Sequence, residues 1–246
     1  MFREFAAGAH CLLRGFGFLT RPGVRRHVII PLLINVVVFA CALAMAAHRF
    51  WSWLHRWTAS LPGWLAWLAP LLWLVFALVA ALALFYTFTL VANLIAAPFN
   101  SFLSARVEAL LTGRRPESGR SLWQETAVAV RDELRRILYI LWRAILIGLL
   151  GLLLLFVPLF DMLTPLLWFA FTAWMLATQY SDYPLSNHRV DFAAQRPLLK
   201  QQRARLFGFG TAAALCTLIP LVNFIIMPAA VAGATLLWVE ARARDP

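Results

Sequence analysis

Charge is scarce in this chain. Only 13% of its 246 residues are Asp, Glu, Lys or Arg, and a single lysine, Lys200, stands beside 21 arginines. Eleven acids leave a formal net charge of +11. Cysteine is equally thin. Cys11, Cys41 and Cys216 are far apart and lie in or beside apolar stretches, so they read as buried small hydrophobes, not as a disulfide set or a metal site. The five histidines (His10, His27, His48, His55 and His188) show no paired metal spacing. No GxxxxGK[ST] phosphate loop occurs, and Gly15-Phe16-Gly17 and Gly208-Phe209-Gly210 lack the remaining glycines of a dinucleotide fingerprint. No serine sits in a G-x-S-x-G elbow. These absences argue against ATP-driven, metal-dependent or hydrolytic chemistry, and neither a cofactor nor an enzymatic activity is expected.

What is present is apolar. Hydrophobic residues make up 62% of the chain, mean hydropathy is +0.76, and eleven tryptophans favour membrane–water interfaces. The first 27 residues hold five arginines and no uninterrupted apolar core, so they do not read as a cleavable signal. From Leu206 to Val239 the chain runs 34 residues without a charged side chain. One helix of that length would measure about 50 Å, against a hydrocarbon core of roughly 30 Å. Broken at Ile219-Pro220-Leu221-Val222-Asn223, it becomes two arms of about 14 to 17 residues, each about 21 to 25 Å long. The pattern predicts a re-entrant hairpin, in which irregular backbone at membrane depth is covered by protein or a water-filled path.

The basic residues fall between hydrophobic runs, which favours the positive-inside rule over nucleic-acid binding. Arg3, Arg14, Arg21, Arg25 and Arg26 precede the first run, Val28 to Ala47. Only Arg49 and Arg56 lie in the following Trp-rich loop. Seven more, from Arg106 to Arg136, follow the second run, Leu71 to Ala97. Residues 28–47 and 71–97 are therefore expected to span the membrane, with 1–27 cytoplasmic and the Trp51–Trp67 loop outside.

The rest reads as interfacial segments and hairpins. Asn100 after Pro98 is expected as an N-cap, Leu103, Val107, Leu110 and Leu111 as one helical face, and Gly113 as its stop. A turn follows over Gly113–Gly119. Ser121 with Gln124 resembles a capping box, and Asp132 with Arg136 an i,i+4 ion pair. Residues 100–136 are thus cytoplasmic or interfacial, and 137–180 and 206–239 form two hairpins of which at least three arms are too short to cross fully. Arg143 either snorkels to the wet end of its helix or faces a polar interior. Residues 181–205 and the tail are polar and basic, which places both termini in the cytoplasm.

Two clusters could carry function. Arg21-Pro22-Gly23-Val24-Arg25-Arg26-His27 puts a tight turn, a helix start and paired guanidiniums together, which suits a tetrahedral oxyanion. Paired arginines before a spanning helix also serve as lipid-headgroup anchors. The second cluster is Asn93, Asn100, Arg106 and Glu108. Such residues either line an ion pathway or make helix–helix hydrogen bonds and an interfacial ion pair. A non-transporting membrane scaffold or regulator, and an enzyme acting on a lipid headgroup, are further readings that these residues leave open.

Four stretches resemble the bacterial sulfate transporter family CysZ over nearly the whole chain. They are Arg21-Pro22-Gly23-Val24-Arg25-Arg26 running into Pro31-Leu32-Leu33-Ile34-Asn35; Ala92-Asn93 through Ala96-Ala97-Pro98-Phe99-Asn100; Ala173-Trp174-Met175-Leu176-Ala177 through Gln179-Tyr180-Ser181-Asp182-Tyr183-Pro184 to Asn187-His188; and Ile219-Pro220-Leu221-Val222-Asn223 through Met227-Pro228 to Gly233-Ala234-Thr235. The resemblance implies an all-α inner-membrane protein with two long transmembrane helices and two partly penetrating helical hairpins, assembled as a homo-oligomer among membrane lipids. It implies uptake of the sulfate ion for cysteine biosynthesis, without a nucleotide-hydrolysing subunit or nucleic acid. The family's sulfate-binding loop falls on Gly23, Val24, Arg25 and Arg26. A pore through Asn93, Asn100, Arg106 and Glu108 combines the resemblance with their polarity.

Overall fold

The computed structural model describes residues 1–58, 69–114, 116, 122–154, 156 and 162–243, and within its helices the side chains of residues 47, 50–58, 69, 72, 73, 89, 90, 93, 94, 122–130, 132 and 133, those of Asn93 and Asp132 among them, lie outside the description. The described residues form helices only: α1 (Phe2–Leu19), α2 (Arg26–Thr58), α3 (Ala69–Thr112), α4 (Leu122–Leu154), α5 (Leu163–Asn187), α6 (Phe192–Gln201), α7 (Arg203–Thr217) and α8 (Pro220–Arg242). The all-α expectation holds. Residues 51–58 of the expected Trp51–Trp67 loop instead continue helix α2; the rest of that loop, the expected capping box at Ser121, the chain break near Pro158 and Asp161, and most of the 113–119 turn lie outside the described residues.

Two compact units divide the chain, Met1–Arg25 with Asn100–Pro246, and Arg26–Phe99. In the first unit α1 packs against α7 and α8, and α5 packs against the same two helices. The buried positions of α1, namely Gly8, Cys11, Leu12, Gly15 and Phe18, recur at helical spacing and make one face. Glycines let these backbones approach. A methyl group on Gly8 would overlap the Arg205 carbonyl, one on Gly15 the Ala229 carbonyl, and one on Gly208 the Phe5 carbonyl. Gly15 and Gly208, which do not complete a dinucleotide fingerprint, are helix-packing residues.

In the second unit Phe39 of α2 and Phe88 of α3 pack with ring centroids 4.5 Å apart and ring planes tilted by 56°. Much of the remaining surface of this pair is apolar and exposed, including Val36, Val37, Leu74, Val79 and Phe85. Soluble monomers rarely leave such extended apolar surface bare.

Pro98 stands inside α3, which continues for 44 residues from Ala69 to Thr112. Asn100 is therefore a mid-helix residue and not an N-cap, correcting the expectation. The missing proline N–H removes one backbone bond without ending a helix whose other bonds persist. The stop at Gly113 is as expected, with φ at 74° and its N–H donating to the Ala109 carbonyl at 3.0 Å.

The break near Pro220 also occurs, but the two arms are unequal. Helix α7 has 15 residues and α8 has 23, which at 1.5 Å per residue gives about 22 Å and about 35 Å. Pro220 opens α8 at its first turn, where its lacking N–H costs nothing, and Asn223 is helical rather than part of the turn. Three described stretches are long and apolar enough to cross a membrane: Arg26–Ala46, Leu134–Leu154 and Pro220–Arg242. Two of these are hairpin arms, so length does not assign partial penetration to three of the four arms. Burial separates them: 56% of the most apolar stretch of α8 is buried in the protein against 6% for each of the others. Helix α8 is the core of its unit, whereas α2 and α4 present their apolar side chains outward.

Candidate functional site

The Arg21–Arg25 turn is built by the end of α1. The Thr20 hydroxyl donates to the Gly17 carbonyl, and the Arg21 amide donates to Phe18 O at 3.1 Å. The Arg21 guanidinium lies 4.1 Å from the centroid of the Phe18 ring, a cation–π contact that holds the chain against its own helix. Gly23 has φ at 82°, the left-handed region that a side chain disfavours. Val24 is fully buried and anchors the turn. Its amide donates to Arg21 O at 3.1 Å, and the Arg25 amide reaches the same oxygen at 3.4 Å. The amides of residues 24 and 25 therefore close the turn, leaving the exposed Arg25 side chain as its outward donor. Arg26 is also exposed and begins α2.

The turn meets α3 at Gly23. A Cβ built there would lie 3.0 Å from Arg106 Nη2 and 3.3 Å from Nε. The loop glycine and Arg106, distant in sequence and assigned to separate clusters on sequence grounds, are neighbours. Arg106 Nε is buried and has no hydrogen-bond partner.

Residues 100–108 of α3 carry a buried polar seam toward α5 and α8. Asn100 Nδ2 donates to Tyr183 Oη at 3.3 Å, and Ser101 Oγ donates to Asn187 Oδ1 at 2.7 Å. Ser104 and Thr235 hydroxyls are 2.9 Å apart. Thr235 spends its proton on the Val231 carbonyl, so Ser104 is the donor. Glu108 is buried, with Oε1 at 2.7 Å from His188 Nε2. Arg242 Nη1 approaches His188 Nδ1 at 3.5 Å. Because a guanidinium only donates, Nδ1 is the acceptor and Nε2–H the donor to Glu108. Glu108 thus does not face Arg106, and its Oε2 has no partner. Asn93 lies on α3 with its side chain outside the description.

Two further ionic clusters escaped sequence reasoning. Arg136 donates to Asp182 at 2.8 Å, and Gln195 reaches the other oxygen of Asp182 at 2.7 Å. Arg205 on α7 binds Glu240 on α8, which also accepts from Arg14 on α1 at 2.5 Å. Cys11 lies 3.7 Å from both Arg205 and Glu240, and burial is the main cause pushing its thiol above the usual range. The partners Tyr183, Asn187 and His188 occur in a stretch that carried the family resemblance, but one-dimensional spacing does not show which α3 residue each one meets.

An all-helical protein with three bilayer-length apolar stretches among its described residues, and arginines gathered at an exposed turn, belongs to the class of integral membrane proteins, and its relatives specify the family. Residues 11–228 match the family model described as sulfate transporter CysZ/etoposide-induced protein 2.4. The chain is 40% identical over 237 residues to a sulfate transporter CysZ of Pectobacterium atrosepticum, covering 95% of this chain and 85% of that protein. It is 41% identical to the one of Pseudomonas aeruginosa, with 95% of each covered. With that of Vibrio cholerae the identity is 41%, over 92% of each. The chain belongs to this family. Relatives named as transporters agree with the expectation of a non-enzyme.

Proposed function

We propose that this chain carries sulfate across a bacterial inner membrane, taking the anion up at the Gly23 turn and passing it along the polar residues Asn93, Asn100, Arg106 and Glu108. The observation that carries this reading is the exposed Arg25 guanidinium on a glycine turn packed against a second arginine, Arg106. Sulfate near neutral pH is a doubly charged acceptor with no proton to give, so donor-only groups suit it. Arg25 and Arg26 hold it, Gly23 permits the turn, and Val24 anchors it. The names borne by the relatives support the same substrate. Sulfate taken up in this way feeds cysteine biosynthesis.

The conducting form is a homo-oligomer, because the apolar faces of α2 and α4 are extensive and few spanning helices among the described residues are available to enclose a polar path. Light scattering in mild detergent is expected to give a multiple of the 27.7 kDa chain mass, and a conducting monomer would refute assembly. Function is tested by labelled-sulfate flux into proteoliposomes, with and without a pH gradient. Uptake above protein-free vesicles is expected, and its absence rejects the reading. Flux indifferent to the gradient identifies a pore, whereas flux driven by it identifies proton linkage. Arg25→Ala and Arg26→Ala are each expected to weaken sulfate binding about tenfold or more.

A further inference from the structure

Arg106 differs from the other arginines that turn inward. Arg136, at 8% exposure, donates to Asp182, and Arg205, at 3%, binds Glu240. Arg106 has no carboxylate partner among the described residues, and its Nε is buried without a hydrogen-bond acceptor. The acid two positions along α3, Glu108, is engaged by His188. A guanidinium does not shed its proton in a protein, so partial burial without a counter-charge costs free energy that a bound anion offsets. Beside Arg106 lies the Gly23 turn, whose residue 24 and 25 amides are turned back onto the Arg21 carbonyl. With those two amides engaged, side chains are the main donors for an anion at this turn: Arg25 and Arg26 are exposed, and Arg106 is the half-buried one.

We propose that Arg106 is a direct ligand of the anion at the Gly23 turn, sharing a tetrahedral dianion with Arg25 and Arg26. Gly23 is required at this turn because a side chain would occupy the place of the Arg106 guanidinium, 3.0 Å from its built Cβ. The inference rests on the reading of this turn as the sulfate site and gives Arg106 a role beyond lining a path.

Calorimetric titration of sulfate into the purified full chain tests it, using Arg106→Gln, Arg106→Lys, Arg25→Ala and the exposed control Lys200→Ala. Arg106→Gln is expected to weaken sulfate binding about tenfold or more, as for loss of a charge-assisted contact. Arg106→Lys keeps the charge but loses the two-pronged donor, so its loss should be smaller. Thermal unfolding separates a ligand from a structural residue. Without sulfate, Arg106→Gln should unfold no earlier than wild type, while the stabilisation produced by added sulfate should shrink. A merely structural arginine would give the opposite pattern and overturn the inference. Wild-type affinity in both Arg106 variants alongside loss in Arg25→Ala overturns it while leaving the anion turn intact. Wild-type affinity in all variants removes the turn as well. The same chemistry fits a lipid phosphate, so titrations are repeated with phosphatidylglycerol in the micelles. Displacement of sulfate by that lipid, dependent on Arg106, would assign the place to a headgroup and overturn the sulfate inference.

Discussion

Removing the Glu240 carboxylate should unfold the α1–α7–α8 junction far more readily than removing the arginine that shares it. Glu240 accepts from Arg205, whose side chain is only 4% exposed, and from Arg14, whose side chain is 43% exposed. Glu240→Ala leaves the Arg205 charge with no carboxylate among the described residues and with only the Cys11 sulfur, 3.7 Å away, in reach. Although the Glu240 side chain is 31% exposed, its removal strands a buried guanidinium, and loss of a buried charge's partner costs up to about 3–5 kcal/mol. Arg14→Ala deletes an exposed partner, for which about 0–1 kcal/mol is expected because solvent screens the pair. For a chain of this length each kcal/mol moves the midpoint by about 2–4 °C, so the predicted losses are about 6–20 °C against about 0–4 °C. Tryptophan fluorescence during thermal unfolding in one mild detergent reads both. Arg205→Met combined with Glu240→Ala should recover much of the loss, since no charge is left buried. Equal midpoints for Glu240→Ala and Arg14→Ala, or no recovery in the double variant, would refute the argument.

Gly15→Ala places a methyl group onto the Ala229 carbonyl and 2.8 Å from the Gly233 amide nitrogen, whereas Gly17→Ala meets nothing within 4 Å. The first should cost about 1–3 kcal/mol by overpacking, and the second should be neutral or stabilising by up to about 1 kcal/mol through helix propensity, as measured by the same melts. For topology, a cysteine at Gln201, exposed at the end of α6, is expected to resist an impermeant thiol reagent applied to whole cells, in a background lacking Cys11, Cys41 and Cys216. Labelling from outside would reverse the proposed orientation.

The apolar runs, the arginine distribution and the breaks at Gly113 and Pro220 were legible in the sequence because they depend on local chemistry. A hydrophobic stretch must satisfy its own backbone as helix, a left-handed glycine ends one, and a proline at a first turn begins another. The Arg21–Arg26 turn was legible for the same reason. Pro98 was misleading in sequence because a helix otherwise intact tolerates the loss of one backbone bond, and Asn100 became an interior residue facing Tyr183. Helix α1 shows a clear spacing of buried residues, but Arg14 between them and Arg3 and Glu4 before them conceal it from a search for apolar runs.

Pairing was decided by tertiary structure alone. Whether Glu108 would meet Arg106 or His188, and whether Arg106 would lie beside the Gly23 turn, depends on where α3 passes α5 and the end of α1. Spacing along one helix determines which residues share a face, not which foreign residue that face meets. Glycines such as Gly15 and Gly208 carry no label for close approach in one dimension; it emerges only when two helices bring a backbone carbonyl to the place where a side chain would stand.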